Sequence, residues 1–385
     1  MSWEATMYIP RQLDLLTILK HKSLFLFGAR QTGKTSLIHH SLPDYRVYDL
    51  LDSDVYRTLS REPKRLEQEK RPEETIVIID EIQKLPFLLD EVHRLIETHG
   101  IHFLLTGSSA RKLRRGGVNL LGGRARSRYL HPLIYSELKE HFSLLKALNN
   151  GLIPSIYLSD SPDEDLKAYT GDYLKEEIAA EGLARNIPAF SRFLQVAALC
   201  NGLLINYANI ANDAQVPSST VQEYFHILRD TLIGFDVPAW KKSRKRKAIC
   251  TSKFYFFDVG VVRHLQNRPE LRDKTPEFGE AFETYLAHEL KTFIDCRGTG
   301  ELCYWRSKSG YEVDFIIDDA VAIEVKAKGN VSPGDLRGIY ALKEENMVRH
   351  YVVASLEQRP RIIDGVHILP WKEFLLKLWR GDFAM

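Results

Sequence analysis

The run Ser23-Leu24-Phe25-Leu26-Phe27 leads directly into Gly28-Ala29-Arg30-Gln31-Thr32-Gly33-Lys34-Thr35, and a helical stretch opens at Ser36. A short apolar strand, a glycine-bounded turn with Lys-Thr at its end and a following helix make a phosphate-binding loop. Successive backbone N–H groups of such a turn point into one concavity and suit an anion. Glycine is needed because a Cβ would obstruct close approach. The reading assigns Gly28, Ala29, Arg30, Gln31, Thr32, Gly33, Lys34, Thr35 and Ser36 to a nucleoside triphosphate, ATP. Lys34 reaches the outer phosphates, and the Thr35 hydroxyl joins Mg²⁺.

A partner for that cation follows in Ile76-Val77-Ile78-Ile79-Asp80-Glu81. Four apolar residues ending in two acids describe a strand buried on both faces with carboxylates at its exit. Asp80 is expected to help hold Mg²⁺. Glu81 is expected to polarise the attacking water as a general base.

Working outward, residues 1–140 alternate strand and helix patterns and read as an α/β domain with a parallel sheet. A lead-in helix is expected over Tyr8 to Leu19, a strand over Arg46 to Leu50 and a helix over Leu88 to Thr98. A further buried strand, Ile101 to Leu105, ends in Thr106-Gly107-Ser108-Ser109. Ser108 is the candidate to sense the outer phosphate, with simple capping by Ser109 as the plainer reading. Then come Arg111, Arg114, Arg115, Arg124, Arg126 and Arg128 on a glycine-rich stretch. Arg124 and Arg126 are the candidates to stabilise a transferring phosphoryl group, in their own site or in a neighbour's.

Length and composition bound these readings. With 385 residues, 44% hydrophobic and 27% charged, the chain is expected to fold as two or three globular domains. Its 53 basic and 51 acidic residues leave a charge of +2, so any polyanion surface must be local. No apolar run has membrane-spanning length, and the first residues carry no secretory pattern. Cys200, Cys250, Cys296 and Cys303 match no zinc spacing and read as reduced thiols of a cytoplasmic protein.

From about residue 141 the pattern turns helical. Val221, Tyr224, Phe225 and Leu228 form an apolar stripe behind Ser218, Ser219, Thr220, Gln222 and Glu223. Short helices followed by strands suggest a winged-helix-like module, with residues 218–223 near the start of a DNA-reading helix. Lys241, Lys242, Arg244, Lys245, Arg246 and Lys247 would form its wing tip and meet nucleic-acid phosphates. A trihelical protein-contact module and a solvated hairpin are the plainer alternatives.

The last third reads as a second α/β unit. A helix from Phe278 to Phe293 carries Glu283, and a hairpin joins the strand containing Asp314 to the strand containing Glu324 and Lys326. Glu283, Asp314 and Glu324 are expected to hold Mg²⁺ or Mn²⁺, and Lys326 to activate water at a phosphodiester. A structural ion pair between Glu324 and Lys326 is the alternative.

Taken in order, several stretches make the whole chain resemble one family. They are Gly28 to Thr35, Ile76 to Lys84, Leu105 to Ala110, Gly122 to Arg126, His131 to Leu138, Lys253 to Gly260, Gly279 to Glu283, Tyr304 to Asp314, and Ile323 to Lys326. The chain is similar to prokaryotic AAA-type P-loop ATPases that end in a DUF4143 domain related to the PD-(D/E)XK nucleases. Phe257-Asp258-Val259-Gly260 departs from that family's more usual Asp-x-Gly-Leu, a change of packing. The resemblance implies an AAA-type ATPase domain over 1–140, a helical winged-helix-like module over 141–250 and a restriction-endonuclease-like domain over 251–385. It implies ATP binding more firmly than any substrate; with the residues above, the expectation is ATP hydrolysis coupled to nucleic-acid binding and Mg²⁺-dependent cleavage, or else a nucleotide-dependent switch or scaffold whose nuclease-like domain binds DNA or a protein partner but no longer cuts. A homo-oligomer fits either.

Overall fold

The computed structural model describes residues 8–108, 121–173, 186–272 and 275–383. Two compact units emerge, residues 1–133 with 230–232, and residues 134–229 with 233–385.

The first unit is built on five parallel strands: β1 (Ser23–Phe27), β2 (Arg46–Asp49), β3 (Ile76–Asp80), β4 (His102–Gly107) and β5 (Ala125–Tyr129), in the order β2-β3-β4-β1-β5. Strand residues alternate between two apolar layers. Phe25, Phe27, Val77, Ile79 and Leu105 meet Leu88, Val92 and Leu95 of the helix Leu88–His99. Leu24, Leu26, Ile78 and Leu104 meet Leu15, Leu19, Leu37 and Ile38 on the other face. Both faces are covered, which is why β3 reads as an unbroken apolar run. All four loops entering the site leave the carboxyl ends of the strands, where open parallel sheets place their ligands.

The lead-in helix is shorter than expected, Leu15–Leu19. Asp14 caps it by accepting from the Thr17 N–H at 3.0 Å. The preceding residues stay non-helical, and Arg11 reaches out instead of packing in a helical stripe.

The second unit opens with helices, among them Ile187–Leu199, Tyr207–Ala214 and Ser218–Asp230. An antiparallel pair follows, β6 (Gly234–Val237) with β7 (Lys253–Phe256). Beyond it stands a six-stranded mixed sheet of β8 (Leu302–Arg306), β9 (Glu312–Ile317), β10 (Val321–Lys326), β11 (His350–Ser355), β12 (Arg361–Ile363) and β13 (Val366–Pro370), ordered β12-β13-β11-β10-β9-β8. Its core holds Trp305, Val313, Ile316, Val353 and Ile368. The 22-residue helix Pro276–Arg297 buries Phe282, Leu286 and Leu290 and stops at Gly298, where φ is +72°.

One boundary was expected at 250. It falls inside the loop between β6 and β7, and that loop is stitched to β8: Trp240 N–H donates to Tyr304 O at 2.7 Å and Ile249 N–H to Arg306 O at 2.8 Å. The helical stretch and the mixed sheet therefore form one unit. Among the described residues, no helix is long and apolar enough to cross a membrane.

Candidate functional site

At the carboxyl end of β1 the loop is held in a narrow conformation. A Cβ on Gly28 would lie 2.5 Å from the Leu130 carbonyl oxygen, so only glycine fits. Gly33 has φ of +92°, which turns the chain into the helix Lys34–Ser41. Thr32 Oγ1 donates to Ala29 O at 2.8 Å. Arg11 ties the crest from outside, donating to Thr32 O at 2.7 Å and to His131 O at 2.5 Å. Lys34 is buried, and its ammonium curls over the cradle to donate to Gly28 O at 2.7 Å and Ala29 O at 3.2 Å. Ala29 is buried and Arg30, Gln31, Thr35 and Ser36 are exposed around the rim.

The acid pair stands two strands away, with β4 between. Asp80 is buried, and its Oδ2 accepts from Thr35 Oγ1 at 3.4 Å, which brings together the two groups expected at Mg²⁺. Thr106, at the exit of β4, donates its hydroxyl to Asp80 Oδ1 and accepts from the Glu81 N–H at 3.1 Å. Glu81 has φ of +59°, a left-handed turn that swings its carboxylate out of the strand line. Gln83 Nε2 donates to that carboxylate, and also to Ser108 Oγ at 3.4 Å. Ser108 is thus buried near the Glu81 carboxylate, joined to it through Gln83. Burial raises the Glu81 carboxyl above its ordinary range, against the pull of nearby Lys34.

Arg124 and Arg126 lie elsewhere. Ala125 pairs with Ser23 and Arg126 with Leu24, whereas the phosphate loop begins after Phe27, which pairs with Tyr129. Four residues of strand separate the two ends, roughly 13 Å. Arg124 engages Glu97 of the helix Leu88–His99. Both arginines thus stand toward the opposite ends of β1 and β5 from the phosphate loop. Arg111, Arg114 and Arg115 lie outside the described residues.

In the second unit, register brings the expected acids together. Ile323 pairs with Phe315, which sets Glu324 beside Asp314. Asp314 Oδ2 accepts from the Val325 N–H at 2.8 Å, and Lys326 Nζ lies 2.6 Å from Glu324 Oε1. Glu283 accepts from Tyr255 OH at 2.6 Å. Burial and the neighbouring Asp314 push Glu283 up to about 7 and raise Glu324 as well. An unforeseen cation completes the set: Lys253 Nζ is 2.6 Å from Glu312 and 3.6 Å from Glu283. Burial opposes the Lys253 ammonium, but Glu283, Asp314 and Glu312 outweigh it and hold the amine above its ordinary range.

Two lysines therefore already stand among these acids and offset part of their charge. Glu324 Oε2 is buried without a hydrogen-bond partner, which alone would favour a cation. Against it, among the described residues no three carboxylate, imidazole or thiolate groups are disposed to hold a metal ion. As arranged, Glu283, Asp314 and Glu324 do not fit a divalent-metal centre.

The expected DNA-reading helix presents Ser218, Ser219, Gln222 and Glu223 to solvent and buries Val221, Tyr224, Phe225 and Leu228. The basic loop after β6 is not the free wing tip expected of it. Lys242 pairs with Asp319 at 2.5 Å and Arg246 with Glu344 at 2.7 Å. The backbone N–H groups of Arg244, Lys245 and Arg246 all donate to Glu345, at 2.7, 2.8 and 3.0 Å. Lys241, Arg244 and Lys247 keep exposed side chains with no carboxylate partner among the described residues.

Sequence reasoning missed Arg11, Gln83, Thr106 and Lys253 as members of these sites. Gln83 and Thr106 stood in quoted stretches, and their polarity at strand exits was the available signal. Arg11 and Lys253 act across distances in the chain that no local pattern reveals.

This geometry agrees with comparisons to known proteins. Residues 20–139 match the AAA domain profile, and residues 278–374 match a domain of unknown function, DUF4143. Residues 141–272 match a further domain of unknown function, DUF8612. The chain joins an AAA-type P-loop domain, a nucleotide-binding fold, to a carboxyl-terminal DUF4143 domain. An uncharacterized protein of Mycobacterium tuberculosis is 23% identical over 364 residues, covering 91% of this chain and 80% of its own length; one of Mycobacterium bovis gives the same values. Among solved structures, the replication initiator DnaA bound to AMPPCP and single-stranded DNA is 15% identical, with a TM-score of 0.30, over 58% of this chain and 90% of its own. The Aeropyrum pernix Orc1 protein in complex with DNA is 14% identical, with a TM-score of 0.25, over 65% and 87%.

Proposed function

We propose that the chain hydrolyses ATP and uses the nucleotide cycle to govern nucleic-acid binding by its carboxyl-terminal unit, as a switch that does not itself cut. The observation that carries the ATPase reading is the union of the Lys34 cradle with Thr35, Asp80 and Glu81 across β1, β4 and β3. Thr35 and Asp80 would hold Mg²⁺, which supplies charge neutralisation at the phosphate oxygens. Glu81 takes the proton of the attacking water, Gln83 orients its carboxylate, and Thr106 fixes the Asp80–Glu81 backbone by two hydrogen bonds. Calorimetry with MgATP tests this directly: saturable binding is expected for the wild type and none for Lys34→Ala. A flat wild-type titration would overturn it.

The nucleic-acid reading is supported by the solvent-facing start of the helix Ser218–Asp230 and by Lys241, Arg244 and Lys247. The non-cutting reading is supported by Lys253, whose charge already stands among the acids that a metal would need. DNA incubated with Mg²⁺ or Mn²⁺ should stay intact. Cleavage by the wild type that disappears in both Asp314→Ala and Lys326→Ala would replace the switch with a nuclease. Arg124 and Arg126 remain candidates only for a neighbour's nucleotide, so mass measurement with and without ATP should reveal a nucleotide-dependent homo-oligomer if they act.

A further inference from the structure

A cavity of about 120 Å³ lies against the helix Val259–Leu265 and the first turns of the helix Pro276–Arg297. Arg263 lines it and is 5% exposed. Its Nη2 donates to Pro269 O at 2.5 Å, while its buried Nη1 has no hydrogen-bond partner. Leaving such a donor unmade is costly, and more so when it carries charge.

Two neighbouring carboxylates, Glu277 and Glu280, favour the Arg263 charge from a distance, and each has a closer partner of its own. Glu280 pairs with Arg268 at 2.5 Å. Glu277 accepts from its own backbone amide and from Thr275. Glu283, on the inner wall, faces the Tyr255 hydroxyl at 2.6 Å and Lys253 at 3.6 Å, which offset its repulsion of an anion. The space holds about four waters' worth of volume, too little for a nucleoside and enough for one phosphate or small carboxylate. A guanidinium offers planar, paired donors matched to such oxyanions.

We propose that this cavity binds a small oxyanion of the phosphate type through Arg263, either as free phosphate or as the terminal phosphate of a nucleic-acid strand. The site stands independently of the ATPase and switch readings. The test uses the full chain saturated with Mg²⁺ and a non-hydrolysable ATP analogue, so that the phosphate loop is already filled. Inorganic phosphate titrated by calorimetry should then bind saturably at one further site. Arg263→Met, which keeps the buried volume, should abolish that binding, and Arg263→Lys should weaken it by about tenfold. Should Arg263→Met fail to fold, Arg263→Lys and the protection of wild-type protein from thermal unfolding by phosphate over chloride at equal ionic strength decide the matter.

A short oligonucleotide with a 5′-phosphate and its unphosphorylated twin separate the two sources. Tighter binding of the phosphorylated strand, lost with Arg263, makes the strand end the ligand. Equal binding of both, with phosphate still saturable, makes it free phosphate. No saturable phosphate binding by the wild type, or binding unchanged in both variants, would overturn the proposal.

Discussion

At the scale of single residues, the ATP site divides labour between charge and geometry. Lys34→Ala removes the one ammonium that covers the loop carbonyls, and MgATP affinity should fall by at least a hundredfold in calorimetry. Glu81→Gln keeps the shape and the left-handed turn but cannot take a proton. ATP should still bind while steady-state turnover drops by about 10²–10⁴. Burial raises the Glu81 carboxyl, so the acid limb of the wild-type pH–kcat profile should lie above the ordinary glutamate range. Activity should fall as pH drops through that limb, because a protonated base cannot accept. The loop with its lysine and the acid pair each stood out in the sequence because each is a contiguous motif on an apolar strand. Thr106 and Arg11 were not, since each takes its role from a partner brought near only by the folded sheet.

At the scale of elements, the joint around Asp258 shows what a four-residue motif can do for packing. Asp258 is buried and caps the helix Val259–Leu265 by accepting from the Val261 N–H at 3.1 Å. It also accepts from the Leu152 N–H at 2.6 Å, clasping the turn after the helix Leu144–Asn150. Burial, opposed by these amides, pushes its carboxyl up to about 6. A Cβ on Gly260 would sit 2.3 Å from the Asn150 carbonyl carbon. Asp258→Ala strands two buried donors and should cost on the order of 3 kcal/mol in urea unfolding. Gly260→Ala should be at least as damaging by the same measurement, since backbone must move. β1 to β4 and the hairpin of β9 and β10 were legible from their apolar runs and their two-residue alternation, whereas β5, read as an arginine-rich loop, and β11 to β13 were not. The lead-in helix was overextended because Asp14, not Pro10, is where the helix begins. The basic stretch after β6 reads by charge as an exposed wing tip, yet its flanks are hydrogen-bonded along β8.

At the scale of the whole molecule, stability should carry a pH signature from Glu289. This side chain is fully buried, and its Oε1 accepts from the Tyr135 N–H at 2.7 Å and Tyr285 OH at 2.8 Å. Burial pushes it up to about 8. The folded chain therefore holds a proton that the unfolded chain releases near 4.5, and the Glu289 contribution is full below that value. It is lost as pH climbs toward 8, worth a few kcal/mol by linkage. Denaturant midpoints measured from pH 5 to 9 should fall for the wild type relative to Glu289→Gln, whose profile should be flatter.

The Glu345 carboxylate, cupped by three consecutive amides, fixes a loop in which Asp319 and Glu344 set a ceiling on how electrostatic any strand binding can be. By letter count the loop advertises six cations; two are discharged by Asp319 and Glu344, and the Lys245 ammonium donates to the Glu344 carbonyl. That carbonyl leaves the Lys245 charge intact, so four remain to displace counterions, and log affinity for duplex DNA should change with log salt by about −3.6 rather than about −5.4. For the proposed strand binding, Asp319 and Glu344 would be built-in competitors, and neutralising either would free one existing cation without adding a single positive charge.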